Sequence, residues 1–304
     1  MTPETITASA SGTWRLGDLT VNRIGFGAMR LTGNADGSPS ERERVIAVLR
    51  RAIELGVNHI DTAAFYFSPL RSANELIGRA LAPYPHDLVI TTKVGPGRDP
   101  SGEWWWATPE QLRGQVEENL RQLGRDHLDV VNLRVPSRTA SGSIAGHFGA
   151  LAELREAGLI RHLGLSNVTP EHLAEALAIA PVVCVQNRYG IDARPEDDAF
   201  LRECGERRIA FVPYFAIAGE GRERGAVAAD GEEVLAVARA HGATAAQVRL
   251  AWTLRRGPNV LAIPGTGNPA HLVANVAAGA LPLSQDELAR LDRLHESAGT
   301  APDA

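Results

Sequence analysis

The sequence predicts a single α/β domain folded as a (β/α)8 TIM barrel, and three observations carry that prediction. Short, β-rich apolar runs alternate with longer amphipathic stretches along the whole chain. Eight such runs can be counted, with no Ser/Pro-rich linker or low-complexity tract dividing them. No GxGxxG turn follows an early strand, as a doubly wound nucleotide-binding sheet would want. A chain of 304 residues with 44% hydrophobic content can bury one large core, and eight strand-helix repeats in that length favour a closed barrel.

In chain order the strands read as residues 24–28, 57–62, 88–93, 128–134, 161–166, 182–186, 210–214 and 260–264. Between them lie helical patterns: ERERVIAVLRRAIELG, TPEQLRGQVEENLRQLG, IAGHFGALAELREAG and TPEHLAEALAIA. Several open on a Thr or Ser cap and close on glycine. The barrel is expected to span residues 16–298, with flexible segments at 1–15 and 299–304.

Net charge is −5 and the basic residues are scattered among acidic ones, so the expected partner is a small molecule, with no nucleic acid and no membrane. Cys184 and Cys204 form no CxxC pair and no zinc-like spacing, which fits a reducing cytoplasm and no metal. The start MTPETITASASGT has neither a basic nor an apolar run, and no stretch approaches the ~20 apolar residues of a membrane span.

In a parallel barrel the chemistry gathers where strands end and the following loops begin. The second strand ends in IDTAAFY, the third in ITTKVG, the fourth in VVNLRVP and the fifth in GLSN. Taken singly, Lys93 reads as a surface lysine lying along apolar surface and Asp61 as a helix cap. Their joint placement points to a site.

IDTAAFY, the following NELIGRAL, ITTKVG, GLSN, QNRYG and IPGTGNPAHL occur in that order over nearly the whole chain and together resemble the aldo-keto reductase superfamily. The resemblance implies hydride transfer from a nicotinamide to an aldehyde or ketone, with a tyrosine hydroxyl protonating the developing alkoxide. Tyr66 matches that tyrosine, Lys93 the lysine that stabilises its phenolate, and Asp61 the carboxylate that pairs with the lysine near the nicotinamide ribose. A free phenol ionises near pH ~10, so a neighbouring ammonium is what makes it an efficient donor near neutrality.

At the end of the fourth strand the family's usual histidine is replaced by Arg134. Arginine is permanently charged and shuttles no proton. It could polarise the substrate oxygen, grip a substrate carboxylate, pair with a nearby acid, or mark a loss of catalysis.

The same resemblance assigns Ser166, Asn167 and Gln186 to the nicotinamide carboxamide and Tyr214 to stacking on its ring. Gly265, Thr266, Gly267, His271 and Asn275 fall in the segment that binds the adenosine end, where backbone amides suit a phosphate. Basic residues are sparse there, yet Thr266, Asn268 and His271 can donate hydrogen bonds and no acid stands by, so NADPH is the expected cofactor, with NADH use left open. Tyr189 reads as packing at the rim. Trp104, Trp105 and Trp106 cannot all face inward from one extended segment, so one is expected to line the substrate pocket and another to pack on the scaffold, suiting an aromatic or apolar carbonyl compound. The segment AIAGEGRERGAVAADGEE reads as a lid, with Arg222 and Arg224 either phosphate contacts or solvated charges. Two functions stay open: an NADPH-dependent aldehyde or ketone reductase, and a cofactor-binding protein with little turnover acting as a redox-responsive or regulatory partner. A lyase or dehydratase using Arg134 on a carboxylate is a third.

Overall fold

The computed structural model describes residues 6–33, 40–99, 101–136, 142–193, 195, 197–217 and 231–298. It begins with a hairpin of β1 (Thr13–Leu16) and β2 (Leu19–Asn22), followed by β3 (Phe26–Gly27) and β4 (His59–Asp61). After the small ribbon of β5 (Phe67–Ser68) and β6 (Arg71–Ser72) come β7 (Val89–Val94) and a second ribbon of β8 (Pro96–Arg98) and β9 (Trp104–Trp106). The remaining strands are β10 (Leu128–Arg134), β11 (Ile160–Ser166), β12 (Val182–Gln186) and β13 (Ala210–Phe211).

Strands β3, β4, β7, β10, β11, β12 and β13 are neighbours in one seven-stranded sheet, and every pairing in it is parallel. The sheet closes through residues 260–262. Val260 bridges Phe211 and Ala262 bridges Ile24, both in parallel, and Leu261 N–H donates to the Phe211 carbonyl at 2.9 Å while Gly25 N–H donates to that of Ala262 at 2.8 Å. The result is the (β/α)8 barrel. Its expected eighth strand is reduced to isolated bridges, and the seventh stops at Phe211, short of 214. Pro264 and Pro213 lack the amide hydrogen a longer ladder would need.

Helices cover the outside: α1 (Arg42–Glu54), α2 (Ala73–Leu81), α3 (Leu112–Leu123), α4 (Ala145–Glu156), α5 (Pro170–Leu177), α6 (Asp197–Glu206), α7 (Glu232–His241), α8 (Ala245–Arg255), α9 (Pro269–Ala277) and α10 (Gln285–Ala298). Their ends follow local chemistry. Thr244 Oγ1 accepts from Gln247 N–H at 3.2 Å while the Gln247 side chain accepts from Thr244 N–H at 3.0 Å, a reciprocal cap at the start of α8. Gly124 closes α3 in the left-handed conformation, φ 66°, which costs glycine no Cβ clash.

The segment expected to be flexible up to residue 15 is tied down over its described part. A 3-10 turn spans Ala8–Ser11, the Ala8 N–H donates to the Leu55 carbonyl at 2.7 Å, and Thr13 already pairs with Asn22 in the hairpin. Leu16 and Val21 of that hairpin pack with Val89, Val130, Val183 and Leu261 inside the barrel, so the hairpin supplies apolar filling that the strands alone do not. A larger cluster packs the helices on the outer faces of the strands. Among the described residues no helix is long and apolar enough to cross a membrane, and no group of three His, Cys, Asp or Glu side chains could hold a metal.

Candidate active site

The strand register decides which side chains meet. Arg134 on β10 lies opposite Ser166 on β11, and Ser166 lies opposite Gln186 on β12. Across that row Arg134 Nη1 donates to Ser166 Oγ at 3.2 Å, Ser166 Oγ donates to Gln186 Oε1 at 3.4 Å, and Gln186 Nε2 crosses to Asp61 Oδ2 at 2.7 Å. Asp61 Oδ1 in turn accepts from Lys93 Nζ at 2.6 Å. A continuous hydrogen-bonded chain therefore runs around the C-terminal mouth of the barrel from Arg134 to Lys93.

Lys93 is buried and donates a second hydrogen bond, at 2.9 Å, to the Thr62 carbonyl. Burial by itself disfavours the ammonium, but the Asp61 carboxylate and the Tyr66 hydroxyl outweigh it, so its pKa lies above the ordinary lysine value and the charge is retained. The Lys93 ammonium sits 4.9 Å from the centre of the Tyr66 ring. Tyr66 stands in the turn after β4, fixed by its N–H on the Ala63 carbonyl at 3.0 Å and its own carbonyl on Ala73 N–H at 2.9 Å.

On the other side of the mouth, Asn167 takes φ 62°, a left-handed conformation that asparagine tolerates, and its amide donates to the Val135 carbonyl at 2.9 Å. The Tyr214 hydroxyl donates to Asn167 Oδ1 at 3.1 Å, and the Arg134 guanidinium lies 5.3 Å from the Tyr214 ring centre. Asp61, Tyr66, Lys93, Arg134, Ser166, Asn167, Gln186 and Tyr214 thus form one connected cluster.

The other expected cofactor residues form a second, adjoining group. Gly265 approaches the β3 backbone so closely that a Cβ on it would meet the Gly27 carbonyl oxygen, which seats the loop after the eighth strand against the first. Thr266 is buried and its Oγ1 accepts from Asn268 N–H at 3.0 Å. A Cβ on Gly267 would meet the Arg30 carbonyl oxygen at 4.0 Å, Asn268 caps α9, His271 is exposed in the first turn of that helix, and Asn275 is buried further along it. Arg222, Arg224 and most of the expected lid lie outside the described residues.

The three tryptophans divide. Trp104 packs edge-on to Phe65 at 5.6 Å between ring centres, and Phe65 packs edge-on to Tyr66 at 5.2 Å. Trp106 packs against His147 at 5.2 Å and over Gly95, whose φ of 112° and crowding by the Trp106 ring leave no room for a side chain. Trp105 covers Gly97 and remains 44% exposed. Tyr189 is buried at the rim, stacked on Trp252 with its hydroxyl on Asp198.

Two buried networks built on asparagine, and one buried histidine, escaped the sequence reading. Thr62 Oγ1 donates to Asn74 Oδ1 at 2.7 Å, Asn74 Nδ2 to Asn119 Oδ1 at 2.9 Å, and Thr92 Oγ1 to the same Asn119 oxygen at 2.6 Å, tying α2 and α3 to the strand ends beside Asp61 and Lys93. Asn187 brackets Val168 with hydrogen bonds of 3.0 and 2.8 Å to its N–H and carbonyl and so holds the loop that carries Asn167. The asparagines of NELIGRAL and QNRYG were the available signal. Two residues before Asp61, fully buried His59 has Nε2 at 3.1 Å from Thr91 Oγ1 and no partner for Nδ1 among the described residues. Burial pushes its pKa down to about 4.

With this geometry in hand, the aldo/keto reductase family model matches residues 23–296, and the chain belongs to that family of oxidoreductases. It is 46% identical over 289 residues to pyridoxine 4-dehydrogenase of Escherichia coli, covering 93% of this chain and 98% of that one. Its fold superposes with a TM-score of 0.78 on an aldo/keto reductase from Klebsiella pneumoniae crystallised with NADP and acetate, 30% identical and covering 93% of this chain and 95% of that one. A thermostable aldo-keto reductase, Tm1743, crystallised with the inhibitor epalrestat also gives a TM-score of 0.78, at 31% identity over 93% of this chain and 99% of that one.

Proposed function

We propose that this chain is an NADPH-dependent oxidoreductase that reduces an aldehyde or ketone to an alcohol, with a ring-bearing carbonyl compound of the pyridoxal class as substrate. The observation that carries the reading is the buried Lys93–Asp61 pair at 2.6 Å with its ammonium 4.9 Å from the Tyr66 ring, at the mouth of the barrel.

The donor set fits a nicotinamide. Its carboxamide needs both hydrogen-bond donors and acceptors, which the hydroxyl and amides of Ser166, Asn167 and Gln186 offer on adjacent strand ends. Tyr214 provides a partly exposed ring for stacking. Gly265, Thr266, Gly267 and the start of α9 would take the adenosine phosphates, with Asn275 at the adenine and exposed His271 available to the 2′-phosphate. Relatives crystallised with NADP and NADPH support the choice of the phosphorylated cofactor, and NADH remains compatible with the absence of a strong basic cluster.

When bound, the cofactor supplies the hydride to the carbonyl carbon. Tyr66 supplies the proton: its O–H bond breaks as the new O–H bond forms on the substrate oxygen, and the phenolate left behind is stabilised by the Lys93 ammonium until water reprotonates it. Asp61 keeps Lys93 charged and oriented. In the opposite direction Tyr66 accepts the proton and the alcohol is oxidised, the direction named for the Escherichia coli relative. Trp104 and Phe65, continuing from Tyr66, offer an aromatic wall for the substrate ring.

The test is a fluorescence titration with NADPH and with NADH, followed by addition of pyridoxal while the absorbance of the reduced nicotinamide is watched. Tight binding with consumption of NADPH is the expected result. Failure to bind either nucleotide would overturn the reading.

A further inference from the structure

Arg134 carries a charge that the catalytic reading does not use. The strand ends β4, β7 and β10 present Asp61, Lys93 and Arg134, and Asp61 is matched by Lys93 at 2.6 Å. Arg134 meets only Ser166 Oγ at 3.2 Å and the Tyr214 ring, with no carboxylate partner among the described residues. One of its five N–H donors is engaged, so most of a planar, permanently charged fork stays available at a half-buried position in the mouth. A partly desolvated cation without a counter-charge is costly unless a ligand completes it.

We infer that Arg134 selects substrates in which an ionisable hydroxyl sits on the ring carbon next to the one bearing the reacting carbonyl, gripping both oxygens with its guanidinium fork. This rests on the oxidoreductase reading above. In an ortho-hydroxyaryl aldehyde the carbonyl oxygen and the neighbouring phenolate oxygen lie on one edge of the ring, much as the two oxygens of a carboxylate do, and match two parallel N–H donors. Pyridoxal has this arrangement on a pyridine ring. A neutral histidine offers one N–H and no charge, so it could polarise a carbonyl but not hold such a pair. The Trp104, Phe65 and Tyr66 rings supply the apolar wall that the rest of the substrate ring requires. Arg134 transfers no proton: hydride still goes to the carbonyl carbon and the Tyr66 proton to its oxygen, while the ortho phenolate remains ionised throughout.

The experiment compares kcat/KM with NADPH for 2-hydroxybenzaldehyde, 4-hydroxybenzaldehyde and 2-methoxybenzaldehyde in the unaltered protein, in Arg134→Gln and in Arg134→Lys. A charge-assisted pair of hydrogen bonds predicts that the ortho-hydroxy compound exceeds both others by about tenfold or more. That ratio should fall toward unity in Arg134→Gln and recover only in part in Arg134→Lys, whatever the absolute rates. Equal ratios in the unaltered protein and the Gln variant overturn the inference. If both variants lose all turnover, ortho-hydroxy against ortho-methoxy in the unaltered protein decides. Turnover without the ortho preference overturns the inference alone, whereas no NADPH oxidation with any aldehyde overturns the oxidoreductase reading and the inference with it.

Discussion

Lys93 Nζ lies 2.6 Å from Asp61 Oδ1, and the two side chains are 1% and 4% exposed. Each charge is tolerated in the barrel because the other is present. Lys93→Met is therefore expected to do two things at once. It leaves the Asp61 carboxylate buried without its counter-charge, at a cost of roughly 3–5 kcal/mol in unfolding free energy, and it removes the ammonium from beside Tyr66. A denaturation midpoint and a turnover number measured on the same preparation check both; a variant as stable and as active as the unaltered protein would contradict the pairing.

The network behind this pair is open to a separate test. Asn74→Ala removes the link between Thr62 and Asn119 and strands buried donors and acceptors, which should cost about 1–3 kcal/mol. Because Thr62 also accepts from Lys93 through its carbonyl, turnover should fall with stability while affinity for the cofactor changes little. Urea unfolding and an NADPH titration separate the two effects.

His59 gives the protein an acid sensitivity. Its pKa is pushed down to about 4 in the fold, against ~6.5 in an unfolded chain, so between those values the unfolded state binds more protons. The stability contributed by a neutral His59 is full above pH ~6.5 and is lost as pH falls toward 4, a change of roughly 3 kcal/mol at most. Unfolding midpoints followed across that window should decline more steeply for the unaltered protein than for His59→Gln.

Cofactor choice is tested at the exposed start of α9. His271→Glu sets a carboxylate where the 2′-phosphate is proposed to lie, and should weaken NADPH binding by roughly tenfold or more while sparing NADH. Equal losses for both nucleotides would place the phosphate elsewhere.

The barrel was legible because strand and helix periodicities are local properties of the chain: six of the eight strands fall within two residues of the expected bounds at both ends, and the seventh differs only by stopping at Phe211. The eighth was not, since whether residues 260–264 pair over their length depends on prolines and on neighbours far along the chain. Asp61, Tyr66 and Lys93 were legible as strand-end motifs. The contact of Arg134 with Ser166 was not, because it follows from parallel register, and neither was the Asn74–Asn119 bond, which joins residues 45 apart. Trp104, Trp105 and Trp106 were expected to divide between pocket and scaffold. The ribbon separates their contacts: Trp104 continues the aromatic edge from Tyr66 through Phe65, while Trp106 packs over Gly95.

The central claim, that Tyr66 delivers the proton while other side chains of the same mouth hold the cofactor, is tested most directly by Tyr66→Phe. Its affinity for NADPH and its turnover of pyridoxal should be measured side by side with those of the unaltered protein. The account predicts a fall in turnover of about 10²-fold or more with NADPH affinity nearly unchanged; a fully active Tyr66→Phe would contradict it.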